Sequence, residues 1–139
     1  MTKWYIEQVF AARTWKLRKE VFSSKGQLAE VMLDEDFEAS HFAAYHENDV
    51  VGILTLRRSD DDYEILYFAV HPDFRMQGIG CALLRHARQF VKTFDGHCLF
   101  IRTSLQDHYF WTHNGFVLVE EFDRIGRFTY NLEEDIISQ

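Results

Sequence analysis

The sequence predicts an α+β (α/β) domain, a mixed sheet with helices packed on it, and three observations carry that expectation. Hydrophobic periodicity yields the order β, α, β-β-β, α, β, α, β-β, in which hairpins are followed by a strand-helix-strand passage. At Ile79 the apolar spacing changes to i, i+3, i+4, i+7, so one long amphipathic helix is present. The 139 residues include 13 Phe, 6 Tyr and 3 Trp but a single Pro, ample material for a core with few breakers. A chain of this length buries about two-thirds of its unfolded surface, so a single domain over 1–139 needs no disulfide or metal staple.

Trp4 to Phe10 reads as the first strand. Thr14 is expected to cap a helix running through Phe22, with Leu17, Val21 and Phe22 at helical spacing. Residues 23–38 are mixed and acidic, ending in Asp34-Glu35-Asp36, and read as a loop with one helical turn. His41 to His46 and Val50 to Arg57 flank Glu47-Asn48-Asp49, a hairpin signal. Arg57 to Asp62 is a second polar turn. Tyr63 to Val70 is nearly all apolar or aromatic, as a central strand covered on both faces should be. Ile79, Ala82, Leu83, His86, Ala87, Phe90 and Val91 then line one side of a helix of about four turns. Cys98 to Thr103 is a strand, and a short helix near Asp107 to His113 is stopped by Asn114-Gly115. Phe116 to Phe122 and Arg127 to Leu132 close the chain as an alternating strand pair around a turn at Gly126.

The net charge is −7, from 15 Lys plus Arg against 22 Asp plus Glu. Nucleic acid calls for a basic surface that displaces counterions, so it is not an expected partner; a cationic amine suits this sign better. No apolar run approaches the ~20 residues of a membrane span, and MTKWYIEQVF lacks the basic start and apolar stretch of a secretory signal. Cys81 and Cys98 are too few and too far apart for a disulfide framework or a zinc knuckle. A cytoplasmic protein without a membrane partner is the expectation. His108 and His113 are five apart, which suits no helical metal pair, and all seven His are read as non-metal.

The chemistry concentrates where the central strand meets the long helix, in HPDFRMQGIGCALL (His71 to Leu84). Pro72 ends the strand, and Arg75, Gly78 and Gly80 immediately precede the helical pattern. A helix N-terminus presents unpaired N–H groups and a partial positive charge, and glycines there let a phosphate approach the backbone. Gly-x-Gly alone also fits a plain strand-to-helix turn. Gly-Lys-Ser/Thr is absent, which excludes a P-loop, and Leu83 stands where a dinucleotide fingerprint has its third glycine.

FRMQGIGCALL resembles the Arg/Gln-x-x-Gly-x-Gly/Ala signature of the GNAT superfamily of N-acetyltransferases. Its setting, after a strand ending Ala-Val-x-Pro and before a long helix, is similar too, as is the downstream Asn114-Gly115-Phe116. Leu17 to Phe22 and Leu33 to His46 resemble the ElaA/YjcF-type branch in its Arg-x-x-Val-Phe and Asp-rich-then-His segments. The resemblance implies the acyl-CoA N-acyltransferase (GNAT) fold, a mixed, mostly antiparallel sheet of about seven strands with flanking helices. It implies acetyl-CoA as cosubstrate and no metal, with a small-molecule or peptide amine as acceptor. The pyrophosphate loop maps onto Arg75, Met76, Gln77, Gly78, Ile79 and Gly80, with Cys81 opening the helix. The main chain of Phe68, Ala69 and Val70 would pair with the pantetheine arm like an added strand.

Acetyl transfer to an amine needs the amine neutral and then a proton for the departing thiolate. Glu64 begins the run Glu-Ile-Leu-Tyr-Phe-Ala-Val, and the family resemblance implies a general base there. A carboxylate amid aromatics would have the raised pKa such a base needs, whereas a solvated place beside Asp60, Asp61 and Asp62 would make it inert. Many family members carry Tyr four residues before the Gly of Gly-Phe; here that position is Trp111, whose indole releases no proton. Tyr109 is the candidate acid, although two residues on a helix turn it ~200° away. His41 could line the acceptor pocket or be a half-buried strand histidine. Arg85, Arg88 and Lys92 read as a basic helix face. A non-catalytic acyl-CoA-binding module is the alternative reading, and the aromatic C-terminal strands could pair in a homodimer.

Overall fold

Alternating and continuous apolar runs become seven strands of one sheet in the computed structural model, which describes residues 4–23 and 32–133. The strands are β1 (Trp4–Val9), β2 (Ser40–His46), β3 (Asp49–Ser59), β4 (Asp62–Val70), β5 (Cys98–Ser104), β6 (Val117–Phe122) and β7 (Ile125–Asn131). Their order across the sheet is β1-β2-β3-β4-β5-β7-β6. β1–β2, β2–β3, β5–β7 and β6–β7 are antiparallel, and β4–β5 is parallel. The helices are α1 (Ala12–Phe22), α2 (Ile79–Thr93) and α3 (His108–His113), with single 3-10 turns at Asp34–Phe37, Pro72–Phe74 and Leu105–Asp107. Mixed sheet, strand count and helix order are those expected. Of the acidic loop, residues 23 and 32–38 fall inside the described part, and 34–37 form the anticipated helical turn.

The chain divides into two compact units, Met1–Arg57 with Leu66–His86 and Arg58–Ile65 with Ala87–Gln139. In the first, Leu17 of α1, Ile53 of β3 and Ala69 of β4 form a buried cluster, with Val21 and Val50 against it. The opening of α2 packs on β3 at Gly52, where a Cβ would stand 2.9 Å from Ile79 Cγ2 and 3.0 Å from Leu83 Cδ1. Glycine there is what lets the helix lie this close to the strand. In the second unit Phe90 meets Tyr63 edge-on at 6.2 Å, and Trp111 of α3 packs on Phe116 and Phe128 at 5.1 and 6.5 Å.

Three local expectations are corrected. Thr14 does not cap α1 but lies inside it, its hydroxyl donating to the Ala11 carbonyl at 2.7 Å. His86 is exposed on the flank of α2, its ring edge on Phe42 at 5.0 Å, while Leu84 is fully buried. The last hairpin does not turn at Gly126. Its turn residues are Asp123 and Arg124, with φ of 50° and 68°, consecutive left-handed residues that match the twist of the flanking strands. Gly126 is buried within β7, where a Cβ would come within 3 Å of Leu105, Leu118 and Phe128 side chains.

Candidate functional site

The strand-to-helix junction is built by local chemistry. His71 donates its amide to the Val51 carbonyl at 2.8 Å, closing the strand, and its Nδ1 accepts from the Asp73 amide at 3.1 Å. Pro72 opens the 3-10 turn, since a fixed φ and a missing N–H cost nothing there. Arg75 then folds back, Nε donating to the Val70 carbonyl at 3.1 Å. Met76 and Gly78 both take positive φ, 65° and 86°. A Cβ at Gly78 would meet nothing within 4 Å, so the glycine is required by conformation and leaves open space over the backbone.

From Gly78 the chain enters α2, the Ala82 amide reaching back to the Gly78 carbonyl at 3.0 Å. The amides of Ile79, Gly80 and Cys81 precede Ala82, the first intrahelical donor, and so face the open helix end, the arrangement that holds an anionic oxygen. Arg75, Met76, Gln77 and Gly78 are exposed, while Ile79 is buried as the first anchor of the helix. On the preceding strand Ala69 is buried and Phe68 and Val70 are half-buried. The β4–β5 ladder covers Asp62–Glu64 against Cys98–Phe100, so the later β4 residues Phe68, Ala69 and Val70 lie outside that ladder.

Glu64 is buried, 8% exposed, rather than solvated beside the three aspartates. Nor is it a carboxylate among aromatics alone: Arg102 Nη1 donates to its Oε2 at 2.8 Å. Glu64 is the register partner of Phe100, and Arg102 lies two residues along β5, so all three share one face. Arg102 was not singled out from the sequence; only strand pairing joins residues 64 and 102.

Tyr109, on α3, is 79% exposed and stacks on His113 at 5.8 Å, while Trp111 is buried among Phe110, Phe116 and Phe128. Their divergence is the one expected of residues two apart on a helix. Arg88 lies over the Tyr130 ring at 4.8 Å, so this member of the basic face is held by cation–π contact.

A second cluster, in the first unit, was missed as a whole. Arg18 is fully buried, its Nη1 and Nη2 donating to the two Asp36 oxygens at 3.0 and 3.1 Å and its Nη2 to Thr55 Oγ1 at 2.8 Å. Its guanidinium also covers the Tyr67 ring at 4.4 Å. His41 Nε2 donates to the Asp36 carbonyl at 2.9 Å, and its Nδ1 lies 3.0 Å from Thr55 Oγ1. His41 is thus a bonded strand histidine, 3% exposed. Burial works to raise the Asp36 carboxyl, but bonds from Arg18, the Leu33 amide and the Trp15 indole, with the Arg18 charge, hold it below its ordinary range. Burial lowers His41, and Arg18 adds to this against the opposing bond to the Asp36 carbonyl. The cluster fastens the 3-10 turn at Asp34–Phe37 to β2 and β3. Legible beforehand were His41 and the run Asp34-Glu35-Asp36 as single features; that Arg18 and Thr55 join them was not.

The model of the acetyltransferase (GNAT) domain matches residues 38–118, more than half the chain. Among solved structures, the PaiA N-acetyltransferase of Thermoplasma acidophilum in complex with coenzyme A is similar over 94% of this chain and 99% of its own, at 16% identity and a TM-score of 0.74. The IAA acetyltransferase of Bacillus cereus is similar over 92% and 99%, at 19% identity and a TM-score of 0.74. A GNAT family acetyltransferase of Elizabethkingia anophelis with acetyl-CoA bound is similar over 94% and 99%, at 18% identity and a TM-score of 0.74. At these identities the likeness establishes the fold. Among curated proteins none matches.

Proposed function

The chain belongs to the GNAT acetyltransferase family, and from that premise we propose that it is an N-acetyltransferase moving an acetyl group from acetyl-CoA to a primary amine. The observation that carries this reading is the Arg75–Gly80 loop, with Gly78 at φ 86° opening α2. The amides of Gly78, Ile79 and Gly80 would hold the pyrophosphate and Arg75 would add charge beside it. The main chain of Phe68, Ala69 and Val70 would take the pantetheine arm, and Cys81 would border the site as a helix residue. Acetyl-CoA supplies an activated acyl group as a thioester, with a thiolate as leaving group.

Glu64 is our candidate base: it accepts the proton of the acceptor ammonium, freeing the lone pair that forms the N–C bond as the C–S bond breaks. Arg102 fixes the carboxylate at 2.8 Å for this task. Tyr109 is our candidate for returning a proton to the thiolate; the second proton that the nitrogen loses as the amide forms passes to solvent, which reprotonates the phenol. We also place the chain in the ElaA/YjcF-type branch, on the segments that supply Arg18, Asp36 and His41. The acceptor is a small molecule or peptide, and the compartment is the cytoplasm, where Cys81 and Cys98 stay as the free thiols seen here. None of the described helices is long and apolar enough to cross a membrane. β6, at the sheet edge and exposing Val117 and Val119, would serve homodimer pairing.

The test is the melting temperature against increasing acetyl-CoA, followed by thiol release with an amine panel. Mass action gives ~2.7 kcal/mol of stabilisation at a hundredfold excess over the dissociation constant. A saturable rise with amine-dependent thiol release is expected. No rise up to millimolar acetyl-CoA overturns the reading. A rise without thiol release favours a binding module, which the buried Trp111 at the usual tyrosine position would suit.

A further inference from the structure

We propose that the acceptor carries a single carboxylate close to its amine, and that Arg102 and Arg127, which both pack over Phe100, bind that carboxylate. The inference rests on the acetyltransferase reading and names its substrate class. Arg102 and Arg127 are direct register partners on β5 and β7, so both side chains leave the sheet on one face. Their Cζ atoms lie 5.2 and 4.1 Å from the Phe100 ring centroid. Like charges placed directly opposite across a ladder are destabilising unless each is answered.

Glu64 answers one of the two, through Arg102 Nη1. Arg127 makes no ion pair among the described residues, and its Nε is buried without a hydrogen-bond partner. Glu120, its register partner on β6, does not take that role. An anion bridging the guanidiniums would answer the unpartnered Arg127 Nε, and a carboxylate matches their fork geometry.

Both arginines line an open groove of about 630 Å³ whose other walls include Glu120, Glu121 and Asp123. Three acids beside two guanidiniums disfavour a phosphate dianion and suit a zwitterion, whose ammonium they attract. Arg102 touches Glu64 directly, so a carboxylate on the same guanidinium brings the amine within a few bonds of the candidate base. A small amino acid, α or with a short spacer, meets these conditions.

The experiment compares kcat/KM, taken per free amine, within pairs that exchange the carboxylate for an amide: glycine and glycinamide, β-alanine and its amide, 4-aminobutyrate and its amide, with 2-aminoethylphosphonate as the dianion. Melting temperatures in each ligand give a readout independent of turnover. In at least one pair the carboxylate should be used tenfold or more better, or alone raise the melting temperature, and the phosphonate should be poorer. Arg127→Gln should reduce the carboxylate member at least tenfold more than its amide, and Arg127→Lys should restore part of the difference. If Arg127→Gln does not fold, the wild-type pairs decide. Pairs equal in both readouts overturn the proposal, as does a phosphonate that matches the carboxylate. Acetyl-CoA binding with indistinguishable pairs removes this inference alone; no acetyl-CoA binding removes the reading beneath it.

Discussion

A guanidinium sealed from solvent needs partners for its charge, and Arg18 has two carboxylate oxygens, a hydroxyl and a tyrosine ring around it. Removing it by Arg18→Met strands the Asp36 carboxylate in the interior, so urea unfolding should show a loss of about 3–5 kcal/mol. The double variant Arg18→Met/Asp36→Leu should recover much of that, because no buried charge is then left unpaired. At Glu64 the same scale sets the chemistry. Glu64→Gln keeps an acceptor for Arg102 but cannot take a proton, so kcat should fall about 10²–10⁴-fold while the acetyl-CoA melting shift persists. An unchanged kcat would remove Glu64 from proton transfer. Tyr109→Phe should lower kcat at least tenfold; a rate unaltered by it assigns the thiolate's proton to water.

At the scale of elements, the loop before α2 depends on one left-handed residue. Gly78→Ala meets no steric obstacle, yet a side chain at φ 86° costs about 1–2 kcal/mol. The loop can escape that strain by moving its amides out of place, so acetyl-CoA affinity should fall tenfold or more in calorimetric titration. Gly78→Asn, which tolerates this region, should retain more affinity than alanine. The element order and the loop's position were legible in the sequence because they follow from local periodicity, Pro72 and the glycine spacing. The final turn was not, since Gly126 reads as a turn residue while its true constraint is the crowding of Leu105, Leu118 and Phe128.

For the whole molecule, the shifted groups set the pH range of stability. His41 sits below its ordinary value of 6.5 through burial, so below about that pH the unfolded chain binds more protons than the folded one. Stability present above pH 6.5 is therefore lost on acidification, progressively, as pH falls toward the folded values. Asp36, also lowered, contributes stability above its unfolded 3.8 that disappears as pH drops through its folded value. A melting-temperature profile should decline in these two stages, and His41→Asn should flatten the first. A melting temperature that rises between pH 6.5 and 5 would contradict the burial of the His41 imidazole.

By itself the sequence determined the mixed α+β class, the strand and helix order and the family, since each rests on spacing within a short stretch: alternation in strands, the 3.6 period from Ile79, the Arg75–Gly80 signature. Only the tertiary structure decided which distant charges meet. Arg18 finds Asp36, His41 and Thr55, and Glu64 finds Arg102, because strand register and helix packing bring together residues 14 to 38 positions apart. A charged side chain looks solvated until its neighbours in space are known. For that reason the partner of the candidate base, and the twin arginines on Phe100, came into view only with the register of β4, β5 and β7.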